Sequence, residues 1–164
     1  AFTRAKDGTP LLSWRVAILP YLGEQELYAR FRQDEPWDGL HNKRRLGKLP
    51  AAFDQGAGLR YGRTHTVAVA GPGAVFDGPA GVRKADLGDG AANTLLAVEA
   101  GGDRSVYWTK PADVVFAPGK PVDVFGGADW AECWAVFADG STRRLTKKDD
   151  AARLPALVTR DGKD

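Results

Sequence analysis

A chain of 164 residues suffices for one domain that buries roughly two thirds of its unfolded surface without staples. Hydrophobic residues at 43% and charged residues at 27% exclude wholesale disorder. The net charge of +2 is too small to imply a polyanion partner, and a single cysteine, Cys133, excludes an internal disulfide. No run of about 20 apolar residues is present, so the segment itself is not expected to cross a membrane. The sequence opens at Ala1 rather than at a methionine and shows no signal peptide, which points to a fragment or a processed product.

With 20 glycines and 10 prolines, short elements joined by turns are favoured over a helical bundle. Ser13 is placed to cap a helix over 14–19, with Trp14, Ile18 and Leu22 on one face, disturbed by Pro20. A second helix over 24–32 turns Leu27, Tyr28 and Phe31 inward. Asp38 then caps a short basic helix that ends near Leu46.

From about residue 57 the pattern changes to β. Strands are expected at 59–61, 65–70, 81–84, 94–99 and 106–109, with a turn at Gly71-Pro72-Gly73. Residues 110–129, rich in proline and glycine, read as a long surface loop. The runs 130–138 and 141–145 flank Asp139-Gly140, which predicts a hairpin closed by a type I′ turn. Both faces of 133–138 are apolar, so this strand is expected to be central or covered on both sides. Asp149 is placed to cap a last helix through Leu154, which Pro155 kinks or stops. Helices first and strands after them give an α+β class: one domain over 1–164, N-terminal helices packed on an antiparallel sheet, then a C-terminal hairpin and short helix.

Chemistry-bearing constellations are sparse. His41 and His65 lie in no ligand spacing, and none of the three serines sits in a nucleophile elbow. Cys133 lies in an apolar run and reads as a buried, inert thiol. Asp86, Asp89 and Asn93 form the densest set of oxygen donors, a weak calcium candidate that lacks the EF-hand register and that good turn formers explain better. No other cofactor is indicated. The basic segment 41–48 reads as a solvated face; nucleic acid is not expected, given the acidic run at 34–38. Five tryptophans are expected mainly in cores, with Trp108 and Trp130 as candidates for sugar or peptide binding beside the long loop.

Three stretches carry a resemblance. The first is Leu11-Leu12-Ser13-Trp14-Arg15-Val16-Ala17-Ile18-Leu19-Pro20-Tyr21-Leu22 with Glu24-Gln25-Glu26-Leu27-Tyr28, Asp34-Glu35-Pro36-Trp37-Asp38 and His41-Asn42-Lys43. The second is Asp89-Gly90-Ala91-Ala92-Asn93-Thr94-Leu95-Leu96 ending in Glu99. The third is Phe137-Ala138-Asp139-Gly140-Ser141 with Thr159-Arg160-Asp161-Gly162. Together they resemble the bacterial domain of unknown function 1559 family, whose members are described as prepilin-type or H-X9-DG proteins. The resemblance implies a pilin-like fold, no established enzymatic activity, and often an N-terminal apolar helix as an anchor; Ala1 is read as lying just beyond that helix. Two departures stand out: Asp129 occupies the place of the box histidine ten positions before Asp139, and Arg144 replaces an aromatic on the last strand.

The resemblance implies a non-enzymatic periplasmic, envelope or extracellular domain that acts in assembly or protein interaction. Protein partners or self-assembly are expected, with no membrane contact by this segment. Two other readings are a glycan- or peptide-binding module using the tryptophan-containing 108–134 region and a cryptic hydrolase built on carboxylates that meet only in space.

Overall fold

The computed structural model describes residues 2–54, 61–78, 81–101, 104–120, 124 and 131–162. The architecture is α+β, arranged as two compact units: residues 1–64 with 106–112, and residues 65–105 with 113–164. The expected strand at 59–61 lies largely outside the described residues, and Tyr61 itself sits in a turn.

The first unit opens with a hairpin of β1 (Phe2–Arg4) and β2 (Pro10–Ser13), which runs directly into α1 (Trp14–Ala17). Ser13 switches the chain from strand to helix. Its backbone is extended at φ −62°, ψ 154°, and its hydroxyl accepts the Arg15 N–H at 3.2 Å. Pro20 cannot continue an α-helix, so residues Leu19–Leu22 tighten into a 3₁₀ turn. The expected face persists only in part: Trp14 and Ile18 pack against the core and Leu22 is exposed, while Arg15, Val16 and Leu19 are the fully buried positions. The second helix is also shorter than its periodicity, with α2 at Gln25–Ala29. Leu27 and Tyr28 still pack toward the core and Phe31 is buried. Asp38 caps nothing; the basic helix is a single 3₁₀ turn at Asn42–Arg45 without a side-chain cap.

Leu11, Leu12, Val16, Leu19, Phe31, Phe53 and Trp108 form the core of this unit. Trp108 reaches it from a distant segment. Its neighbours β3 (Arg63–Thr64) and β6 (Val106–Tyr107) form a two-stranded antiparallel ladder, and α1 packs against β1 and β2. Phe31 meets the Trp108 ring edge-on at 5.6 Å.

The second unit is a five-stranded sheet in the order β7-β4-β5-β8-β9, made of β4 (Thr66–Ala70), β5 (Leu95–Glu99), β7 (Val114–Val115), β8 (Glu132–Phe137) and β9 (Thr142–Thr146). Antiparallel pairing runs from β4 to β9, as expected, but β7 joins β4 in parallel. That pair falls within the predicted long loop. The Asp113 carboxylate helps to hold it by accepting the Ala68 N–H at 3.0 Å. The expected strand at 81–84 is absent; a 3₁₀ turn at Lys84–Asp86 takes its place, because the Asp86 carboxylate accepts the Arg83 N–H.

The predicted β8–β9 hairpin is present with a different turn. Gly140 N–H donates to Phe137 O, Phe137 N–H donates to Ser141 O, and Gly140 has φ 86°. This makes a three-residue loop with the glycine as its left-handed closing residue, so Asp139 and Gly140 sit one place later than a type I′ turn requires. On β8, Cys133, Ala135 and Phe137 are buried, whereas Trp134 is 54% exposed. The strand is interior to the sheet, between β5 and β9, which is one of the two expected arrangements, but only one of its faces is covered. Thr146, not Asp149, caps α3 (Lys147–Asp150), and Pro155 begins rather than ends α4 (Leu154–Val158). The α4 segment packs on β5, and Leu154, Leu157 and Val158 are buried.

Candidate interaction surface

The polar chemistry of the first unit is concentrated in residues 30–46. Asn42 is completely buried, and its carboxamide closes a loop whose ends no helix or sheet would hold. Its Oδ1 accepts the Arg32 N–H at 3.0 Å, and its Nδ2 donates to the carbonyls of Arg32, Glu35 and Pro36 at 2.9, 2.8 and 3.3 Å. Glu35 closes the loop from the other side. Its Oε1 accepts the backbone N–H groups of His41 and Asn42 at 2.7 and 3.2 Å, and its Oε2 lies 3.6 Å from Arg32.

Burial pushes the Glu35 carboxyl up. The two N–H donors and the charges of Arg32 and His41 outweigh it, holding the group below its ordinary value. A Cβ at Gly39 would collide with the Glu35 side chain, so a larger residue there would displace this carboxylate from its two N–H donors. His41 Nε2 meets the Arg30 carbonyl at 2.9 Å, and Arg45 donates to the His41 carbonyl at 2.9 Å. A framework this heavily cross-linked fixes the loop without using an excess of apolar contacts.

Arg32, Glu35, Gly39, Leu40, His41 and Arg44 line a recess of about 450 Å³ on this loop. Leu40 is 86% exposed, and Tyr21, on the 3₁₀ turn after α1, is 88% exposed. Behind the loop, Trp37 stacks on Tyr107 at 5.5 Å and 27°. Arg63 lies over the Tyr107 ring at 5.1 Å and Lys110 over the Trp37 ring at 5.6 Å. The stack ties the loop to β6.

Trp108 does not offer a ring to a ligand. It is fully buried, and its Nε1–H donates to the Leu46 carbonyl at 3.0 Å. Trp130, like Asp129, lies outside the described residues. Asp86, Asp89 and Asn93 sit in one turn region, and each is engaged with the protein itself. Asp86 holds the Arg83 N–H, Asp89 accepts the Gly162 N–H, and Asn93 donates to the Asp89 carbonyl at 3.1 Å. Among the described residues there is no group of three or more His, Cys, Asp or Glu side chains placed to hold a metal. Cys133 is buried, and burial, with the nearby carboxylates of Glu99 and Asp150, pushes its thiol up to about 12. Arg144 lies across from Trp134 on β9 and pairs with Glu132.

Sequence reasoning does not single out Asn42, Glu35 or the Trp37–Tyr107 stack as a working unit. Asn42 and Glu35 are seven residues apart, and Trp37 and Tyr107 are joined only by the fold. An asparagine between charged neighbours carries no periodic signal of burial.

The family model described as "Protein of unknown function (DUF1559)" matches residues 1–54. The match contains the first of the three resembling stretches, together with the whole of the 30–46 loop, and does not reach the other two. No curated protein and no solved structure matches this chain. No helix among the described residues is long and apolar enough to cross a membrane.

Proposed function

We propose that this chain is a non-enzymatic, pilin-like domain of the envelope or the extracellular space that acts through assembly or protein contact. The observation that carries this reading is the character of the 19–46 segment. Its buried polar groups are spent on holding a loop rigid, while Tyr21 and Leu40 stand out of it at 88% and 86% exposure. Large apolar groups displayed on a preformed frame suit recognition, because little ordering entropy remains to be lost on binding. The partial family match supports the prepilin-type assignment, and the buried, protonated thiol of Cys133 is unsuited to nucleophilic chemistry.

The test is site-specific photo-cross-linking in cells that make the complete protein, with the photoreactive residue replacing Tyr21 or Leu40. Discrete protein adducts support the reading. Turnover of a defined substrate that is abolished by one carboxylate substitution would refute it.

A second reading, glycan or peptide binding through the 108–134 region, rests on Trp134, which is 54% exposed on the outer face of β8. Glycan-array binding that is lost in Trp134→Ala would favour it, and binding that survives that change would count against it.

A further inference from the structure

We propose that the recess bounded by Arg32, Leu40 and Arg44 docks an acidic, apolar-bearing peptide segment of a protein partner. A carboxylate of that segment is held by the two arginines, and an apolar side chain lies on Leu40. This rests on the protein-contact reading above and names the chemistry of the partner.

The charge around the recess is not balanced. Residues 30–48 contain six Lys or Arg against three Asp or Glu. The one carboxylate lining the recess, Glu35, is committed to two backbone N–H groups. Arg32 reaches Glu35 only at 3.6 Å, and its side chain is 62% exposed. Among the described residues the Arg44 guanidinium has no side-chain partner, although it lines the recess beside Leu40. Guanidinium groups bind carboxylates in a two-point geometry, so an exposed arginine pair beside an exposed leucine matches a carboxylate next to an apolar side chain.

The unit as a whole has the same sign: twelve Lys or Arg against seven Asp or Glu, a net of +5, where residues 65–105 and 113–164 together carry −3. Long-range attraction therefore favours an acidic segment before contact is made. A polyphosphate chain fits less well. No Phe, Tyr or Trp ring lines the recess for base stacking, and Leu40 would be left without an apolar partner.

The experiment uses fluorescence anisotropy on the full chain. The probe is a short labelled peptide alternating Leu and Glu, compared with its Leu/Gln and Leu/Lys counterparts and with a labelled single-stranded oligonucleotide. Expected are binding of the Leu/Glu peptide alone, weakening with salt, and a loss of roughly tenfold in Arg44→Glu. A comparable loss is expected in Leu40→Ser. Lys6→Glu, an exposed position on the β1–β2 turn with the same change in net charge, serves as the control and retains binding. The Leu/Lys peptide is expected to bind Arg44→Glu in preference to the parent.

Absence of Leu/Glu binding, equal binding of the Leu/Gln peptide, or unchanged affinity in Arg44→Glu with native circular dichroism would each overturn the proposal. So would an oligonucleotide that binds at least as well and is indifferent to Leu40→Ser. Cross-links from Tyr21 in the absence of peptide binding would remove this site and leave the protein-contact reading in place.

Discussion

Replacing Asn42 by alanine removes a side chain that is completely buried and joins four backbone groups of the 32–42 loop. Each such bond contributes about 1 kcal/mol net, and buried groups left without a partner cost about 1–3 kcal/mol each. The weakest contact, at 3.3 Å to Pro36, shares a donor with shorter ones. Three effective bonds give a loss of about 3 kcal/mol, equivalent to a fall in melting temperature of about 6–12 °C for a chain of this size.

Asn42→Asp sharpens the test. It preserves shape and the acceptor for the Arg32 N–H but sets a carboxylate against three carbonyl oxygens, close to Glu35. It should be at least as damaging at neutral pH. Folding raises the pKa of the introduced group, so stability returns as the pH is lowered through that value and the carboxyl becomes a donor. The assay is urea denaturation at several pH values, with hydrogen exchange of residues 30–46 to locate the loss. A change below about 1 kcal/mol in Asn42→Ala, within the range of an ordinary surface substitution, would refute the assignment of Asn42 as the loop's closure.

The Glu35 carboxyl is held below its ordinary value in the folded state, so its contribution is present above the usual carboxylate range and is lost as the pH falls through the folded value. Glu35→Gln should lower stability at neutral pH and flatten the acid limb of the pH–stability curve; an unchanged acid limb would contradict the geometry. The Cys133 thiol behaves in the opposite sense. With a folded value of about 12 it stays protonated in the native protein, so its contribution is complete below the ordinary thiol value and declines as the pH rises toward 12. Native protein at pH 8 should resist thiol alkylation that goes to completion in urea, and fast native labelling would show that the site is open. Gly140→Ala forces a side chain to adopt φ 86° and should cost about 1–2 kcal/mol, read by thermal melting, with Gly140→Asn milder.

Where a signal is local, the sequence shows it. Ser13 before Trp14 marks a cap that the structure confirms at 3.2 Å, and the strand-like runs 65–70 and 94–99 place β4 and β5 to within a residue. Local chemistry also misleads when two devices compete for one segment. Asp-Gly predicts a two-residue turn, but the register Val136↔Thr142 needs three loop residues, and the glycine moves to the closing position. Asp149 has a cap-forming side chain, yet Thr146 stands where β9 ends and takes the role.

The apolar run at 133–138 does not reveal that Trp134 and Val136 face outward, because exposure depends on what covers the sheet. The candidate surface is the least legible part. Glu35 reads as part of an acidic break and Asn42 as part of a solvated helix face, and their buried bonding follows from a chain reversal that no period encodes.

The return of residues 106–112 to the first unit gives it a discontinuous chain, and Trp108 is among the largest fully buried side chains. As the polypeptide leaves the ribosome, the segment matched by the family model is finished well before the indole that fills its centre and caps the Leu46 carbonyl. The N-terminal segment must therefore wait, incompletely packed, until about fifty more residues have been added, a delay of seconds at ordinary elongation rates. A piece cut at residue 54 or 64 would keep the matched sequence and lose the keystone of its core, so expression boundaries drawn from sequence similarity alone should yield an unstable product.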